Sequence, residues 1–339
     1  MFPAFERPDS GMLLSRSYNI HGLSLLVEAT TVEAAREVER LLSPFAGNPG
    51  KEPDCSISIS PGYLEDHEFP PAAPVLWDGV LPEGVRATHR GNETLRSLEL
   101  HGLTLARFDL ASRRAEVSFR PGAEWCLVSG SIVPILAEFL RQADHHMIHA
   151  ATLLTDAPDE RAVVISGPSG AGKTTSALAL ANSGMKLVSD DISFVTGVET
   201  GPGPPRIWGL LSRLKVCRPS LDLLPWMREL GPTGIERGPE LYFDPGVVRR
   251  PQARSSTRPG AIIFLEERNA EAHRITPLGR VAALGRLARE NISAVDSRGG
   301  GPSGKSFKAL ANLVGNCRCF MLSASPCLET LYEYLSPFL

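Results

Sequence analysis

From Tyr18 to Phe119 apolar and polar residues alternate in short runs. YNIHGLSLLVEA, residues 18 to 29, predicts a strand, and in DCSISIS the side chains of Cys55, Ile57 and Ile59 share one face. Between these runs Val32, Ala35, Val38 and Leu42 recur at helical intervals, and Thr30 with Glu33 has capping-box spacing, so one helix is expected to start at Thr30. TLRSLELHG, LTLARFDLA and RAEVSFRPG, separated by turn residues between Glu93 and Phe119, predict an antiparallel meander. The proline-rich stretch from Pro61 to Pro82 predicts a loop.

The rhythm then changes. SGSIVPILAEFLRQADHH predicts a helix with Pro134 near its first turn, where a missing N–H is tolerated. HAATLLT and AVVISG are short apolar runs with a turn between them, followed by a helix from about Lys173 to Ser183 that Gly184 can cap. KLVSDD, RIWGLL and AIIFLEE predict strands, and RVAALGRLAREN, SFKALANLVG and LETLYEYL predict helices. The expected organisation is an α+β, sheet-rich domain over 1–128 and an α/β domain over 129–339.

Apolar residues make up 42% of the 339-residue chain, enough for a full core, which excludes intrinsic disorder. Lys and Arg number 35 against 38 Asp and Glu, so no broad positive field exists to hold a polyanion, and nucleic acid is not an expected partner. The start, MFPAFERPDSGMLL, lacks a basic segment leading into an apolar one, and no apolar run reaches the roughly 18 residues that cross a bilayer. A cytoplasmic protein without membrane contact is expected. Six scattered cysteines do not make a disulfide framework, and Cys317, Cys319 and Cys327 lack the paired spacing of a zinc site, so buried or half-buried thiols are expected.

The chemistry concentrates in AVVISGPSGAGKTTSALALA. Gly167, Gly172, Lys173 and Thr174 fit GxxxxGKT between an apolar strand and a helix, the setting that makes this spacing a phosphate-binding loop. Glycines let successive N–H groups turn inward over Gly167, Ser169, Gly170, Ala171 and Gly172, and the helix start adds positive dipole. Lys173 would reach the β and γ phosphates, and the Thr174 hydroxyl would ligate Mg²⁺. Asp190 and Asp191 follow at the end of the next strand, where one carboxylate can hold the metal while the other takes a proton from an acceptor hydroxyl. Lys215, Arg218 and Arg258 are the cations considered for the transferring phosphoryl group. His149 opens the strand before the phosphate-loop strand, and spacing alone gives it an apolar face with Met147 and Ala151, the setting of a core histidine. GGGPSGKS, ending in Gly304, Lys305 and Ser306, repeats the glycine spacing without a strand before it, and a flexible surface loop is expected there.

HAATLL, ISGPSGAGKTTSALAL and LVSDDISFV, in that order, resemble the catalytic domain of bacterial HPr serine kinases and the related serine kinases, over Met147 to Val195. The pair Thr174–Thr175 after Lys173 is similar to phosphoenolpyruvate carboxykinases. The resemblance implies a PEP-carboxykinase-like α/β nucleotide-binding fold of mixed sheet and an ATP- and Mg²⁺-dependent kinase acting on a serine of a protein or peptide. It places His149 at the active site, Asp191 on the metal, Asp190 as the base and Thr175 in the nucleotide loop. The amino-terminal domain would help select the acceptor, and a homo-oligomer is implied because HPr kinases assemble into one. Two other readings stay open: a small-molecule phosphotransferase of the carboxykinase kind, and a non-catalytic switch governed by nucleotide occupancy.

Overall fold

A computed structural model describes residues 13–47, 52–62, 73–81, 84–156, 159–197, 203–230, 235–237, 240–248, 256–268, 270–291 and 302–339. Two compact units divide at Phe139/Leu140.

The first unit is built on one sheet. Its strands are β1 (Leu14–Ile20), β2 (Leu23–Ala29), β3 (Cys55–Pro61), β4 (Val75–Val80), β5 (Arg86–Gly91), β6 (Leu95–Leu100), β7 (Thr104–Asp109) and β8 (Arg114–Phe119), in the order β1-β2-β3-β8-β7-β6-β5-β4. Helix α1 (Val32–Leu42) buries Ala34, Val38, Leu41 and Leu42. The meander of β6, β7 and β8 forms as the alternation predicts. Three details differ. The run from Tyr18 to Ala29 is a hairpin, because His21 and Gly22 both take left-handed backbone (φ 50 and 98), the conformation of a two-residue hairpin turn. The helix cap is Thr31 instead of Thr30, since its hydroxyl is the one that accepts from Ala34 N. Val75–Val80, inside the expected loop, is the edge strand β4, paired to β5; residues 63–72 lie outside the described ones.

Helix α2 (Val133–Gln142) spans the division, and the turn before it packs on the first unit's sheet. Ser131 Oγ donates to Thr104 Oγ1 at 3.1 Å, and Gly130 sits so close to Leu100 that a Cβ would collide with it.

The second unit is α/β. Its strands are β9 (His145–His149), β10 (Ala151–Leu154), β11 (Ala162–Ser166), β12 (Lys186–Ser189), β13 (Ile192–Thr196), β14 (Ile207–Leu210), β15 (Leu214–Cys217), β16 (Ile235–Arg237), β17 (Glu240–Phe243), β18 (Pro259–Arg268), β19 (Arg274–Pro277) and β20 (Arg318–Ala324). The central sheet runs β12-β10-β11-β18-β20-β19; β11, β18 and β20 are parallel and the remaining pairings are antiparallel. Two three-stranded sheets, β14-β13-β9 and β15-β17-β16, complete it. The helices are α3 (Lys173–Asn182), α4 (Pro225–Glu229), α5 (Arg280–Asn291), α6 (Pro302–Gly315) and α7 (Leu331–Leu335).

Strand period two places the core on both faces of the central sheet. Val163, Ile165, Ile263 and Leu265 pack on the side of α3 and α7, whereas Ala162, Val164, Ile262 and Phe264 pack against α5 and α6. Each buried branched or aromatic side chain contributes roughly 1.5–3 kcal/mol, so β11 and β18 anchor what hangs from their ends. Cys317 and Cys319 belong to the second of these clusters, and burial pushes the Cys319 thiol up to about 11. Cys217 and Cys327 are exposed. No described helix is long and apolar enough to cross a membrane.

Candidate functional site

The glycine loop leaves the carboxyl end of β11 and enters α3. Gly167, Gly170 and Gly172 all hold positive φ (155, 80 and 98), and a Cβ on Gly167 would press on Ala171 and the Leu265 carbonyl at 3.3 Å. Pro168, Ser169 and Gly170 form the exposed tip. Helix α3 begins at Lys173 without a side-chain cap, which leaves its first N–H groups without intrahelical partners at the loop. Lys173 is 6% exposed, and its Nζ donates to Gly167 O at 2.9 Å and Pro168 O at 3.2 Å. Burial pushes this ammonium below the ordinary lysine range, while the Asp191 and Glu290 carboxylates pull it back up. Thr174 is half-buried. Thr175 is buried and its hydroxyl donates to Ser220 Oγ at 3.1 Å, so that oxygen is used to fasten α3 to the 218–222 turn.

β12 ends at Ser189, and Asp190 and Asp191 occupy the turn to β13. The Ser189 hydroxyl shapes that turn: it donates to Ile192 O at 2.7 Å and accepts from Ile192 N at 2.9 Å and Asp191 N at 3.3 Å. Gly209 permits this, since a Cβ there would collide with Ser189. Asp190 is 5% exposed; burial, then the neighbouring Asp191 charge, raises its carboxyl to about 7, against the lowering effect of the Lys215 N–H. Asp191 is half exposed, and its Oδ1 lies 2.9 Å from His149 Nδ1.

His149 differs from its sequence reading. It ends β9, in a separate sheet from the phosphate-loop strand, with 40% of its side chain exposed, and Met147 is 43% exposed, so the expected apolar face is absent. The reason is that β9 pairs with β13, Ile192 opposite His149, and this register brings the imidazole beside Asp191. GGGPSGKS is also corrected in part: Pro302 to Ser306 open α6, and Gly299 to Gly301 lie outside the described residues.

Glu290 and Asn291 carried no motif, and Lys215, a candidate phosphoryl cation in the sequence, stands in another relation to the site. Glu290, at the end of α5, acts on Lys173 by its charge. Asn291 Oδ1 accepts from His149 N at 2.6 Å. Lys215 supplies Asp190 with an N–H and a positive charge, while its Nζ pairs with Glu240 at 2.8 Å. Their positions follow from tertiary pairing, and no local spacing marks them.

Among the described residues no group of three or more His, Cys, Asp or Glu side chains is arranged to hold a metal. Asp191 and Thr174 offer hard oxygen donors, which fits Mg²⁺, an ion that takes one or two protein oxygens and fills its sphere from phosphates and water. A cavity of about 680 Å³ lined by Thr155, Arg161, Pro259, Gly260 and Arg318 lies at the amino ends of β11, β18 and β20, away from the loop. It shares no residue with the site. No family model matches the chain, and no curated protein matches it in sequence.

Proposed function

We propose that the second unit is an ATP- and Mg²⁺-dependent serine kinase with a PEP-carboxykinase-like nucleotide-binding fold. The observation that carries the reading is the convergence of Lys173, Asp190, Asp191 and His149 around the glycine loop at the carboxyl end of β11. The open N–H groups at the start of α3 would bind the triphosphate, and Lys173 would leave its two carbonyls for the phosphate oxygens. Thr174 and the Asp191 oxygen not facing His149 would hold Mg²⁺, which neutralises phosphate charge when bound.

Asp190 has the proton affinity of a base that works near neutrality. As the acceptor oxygen bonds to the γ phosphorus, the bond to the β-phosphate oxygen breaks, ADP departs and the hydroxyl proton passes to Asp190. His149 is a positioning residue that fixes the rotation of Asp191, and Asn291 fixes the backbone of His149. The acceptor is a serine-type hydroxyl on a protein or peptide. Incubation with labelled ATP, Mg²⁺ and candidate acceptors tests this: stable label on a serine supports a kinase, and tight nucleotide binding without transfer refutes it.

A further inference from the structure

A second cluster stands three residues before His149 on β9. His146 Nε2 lies 3.0 Å from Asp144 Oδ1, and His146 Nδ1 lies 3.0 Å from Ser306 Oγ in the first turns of α6. His146 is 2% exposed and Asp144 7%, whereas Ser306 is half-buried between the exposed Lys305 and Phe307. A carboxylate on one ring nitrogen holds the proton there, which leaves the other nitrogen as acceptor for the serine hydroxyl. Burial lowers the proton affinity of His146, Asp144 opposes this, and the Arg141 and Lys305 charges reinforce it, so the neutral ring prevails at pH 7.

Asp144 is held in place by more than its pairing. Its backbone is left-handed (φ 62), a conformation that Asp adopts more readily than most residues. Its carbonyl accepts from Gly197 N at 2.7 Å, and a Cβ on Gly197 would collide with its carboxylate. A strand rises about 3.3 Å per residue, so His146 stands roughly 10 Å from His149 along β9, and the cluster is separate from the phosphate loop.

We infer that Ser306 is a nucleophilic centre, activated by His146 and positioned through Asp144, that attacks the phosphorus of anionic phosphate esters. The phosphoryl class follows from the exposed Lys305 beside Ser306 in the first turns of α6, whose charge complements a phosphate dianion and does nothing for a neutral ester. Ser306 Oγ bonds to phosphorus while its proton passes to His146 Nδ1; the bond to the leaving oxygen breaks, and that oxygen takes the proton from His146. The products are phosphoserine and an alcohol, with no redox partner required. This inference is independent of the nucleotide reading.

The test uses the full chain and 4-nitrophenyl phosphate. One equivalent of 4-nitrophenolate should be released in a burst, with one phosphoryl group located on Ser306 by peptide mass spectrometry. Ser306→Ala should abolish the adduct and keep nucleotide binding unchanged. His146→Gln should slow the burst at least about tenfold, Asp144→Asn should shift its pH profile, and Asp144→Glu should restore part of the rate. Because variants at the buried His146 and Asp144 can unfold, the adduct on the wild-type chain and the half-buried Ser306→Ala variant decide the matter. Absence of phosphate on Ser306, or an equal burst from Ser306→Ala, overturns the inference. Acetylation of Ser306 by 4-nitrophenyl acetate without phosphorylation by the phosphate ester overturns it as well.

Discussion

His149 Nδ1 and Asp191 Oδ1 stand 2.9 Å apart, joining the end of β9 to the turn after β12. Both side chains are about half in solvent, so the pair contributes at most about 1 kcal/mol to stability. Its consequence should appear in turnover. His149→Gln is expected to lower kcat at least about tenfold while moving Tm by no more than about 2–4 °C, as steady-state kinetics and calorimetry would report.

Lys173 is a buried ammonium whose proton affinity burial depresses. A cation held below its unfolded value weakens the fold at neutral pH and ceases to do so only above the unfolded pKa. Lys173→Met should therefore melt no lower than the wild type. It should also lose the gain that nucleotide gives, about 2.7 kcal/mol at a hundred times Kd, when melting is followed with and without Mg²⁺ and ATP.

Asp190 titrates at about 7 in the fold against an ordinary 3.8. The folded chain binds this proton more tightly than the unfolded one, so the stability associated with it is full below about pH 4 and is lost as pH rises through about 7. The rise from 3.8 to about 7 amounts to at most about 4 kcal/mol. In urea titrations Asp190→Asn should match the wild type near pH 4 and exceed it near pH 8, while phosphate transfer falls by on the order of a thousandfold.

Gly172 caps α3 at φ 98. Gly172→Ala forces an ordinary residue into left-handed backbone, at a cost of about 1–2 kcal/mol by denaturant midpoint, and turns the loop amides away. Titration with an ATP analogue should show weaker binding than this stability loss alone would give.

How much of this was legible in the chain depends on range. The glycine loop, its strand and its helix were readable because strand, turn and helix chemistry lie within twenty consecutive residues, Ala162 to Ala181. The meander was readable from alternation for the same reason. His149 was misplaced because HHMIHAATLL looks continuous, yet the chain changes sheets at Ala150, whose N–H donates to Asp191 O at 3.1 Å. Only long-range pairing with β13 decides that, and sequence periodicity is blind to it. The Asp144–His146–Ser306 cluster spans more than 150 residues of chain and has no spacing to betray it. Pro302 as a helix start was obscured by the glycines before it.

On the proposed reading, the loop from Gly167 to Thr174 grips a triphosphate opposite the acid pair. Crystals grown with Mg²⁺ and a non-hydrolysable ATP analogue test it directly. The expected density has β and γ phosphates on the amides from Gly170 to Thr174, Lys173 swung onto them, and Mg²⁺ on Thr174 and Asp191. Nucleotide bound elsewhere, or bound there with Asp190 and Asp191 turned from the γ phosphate, would contradict the account.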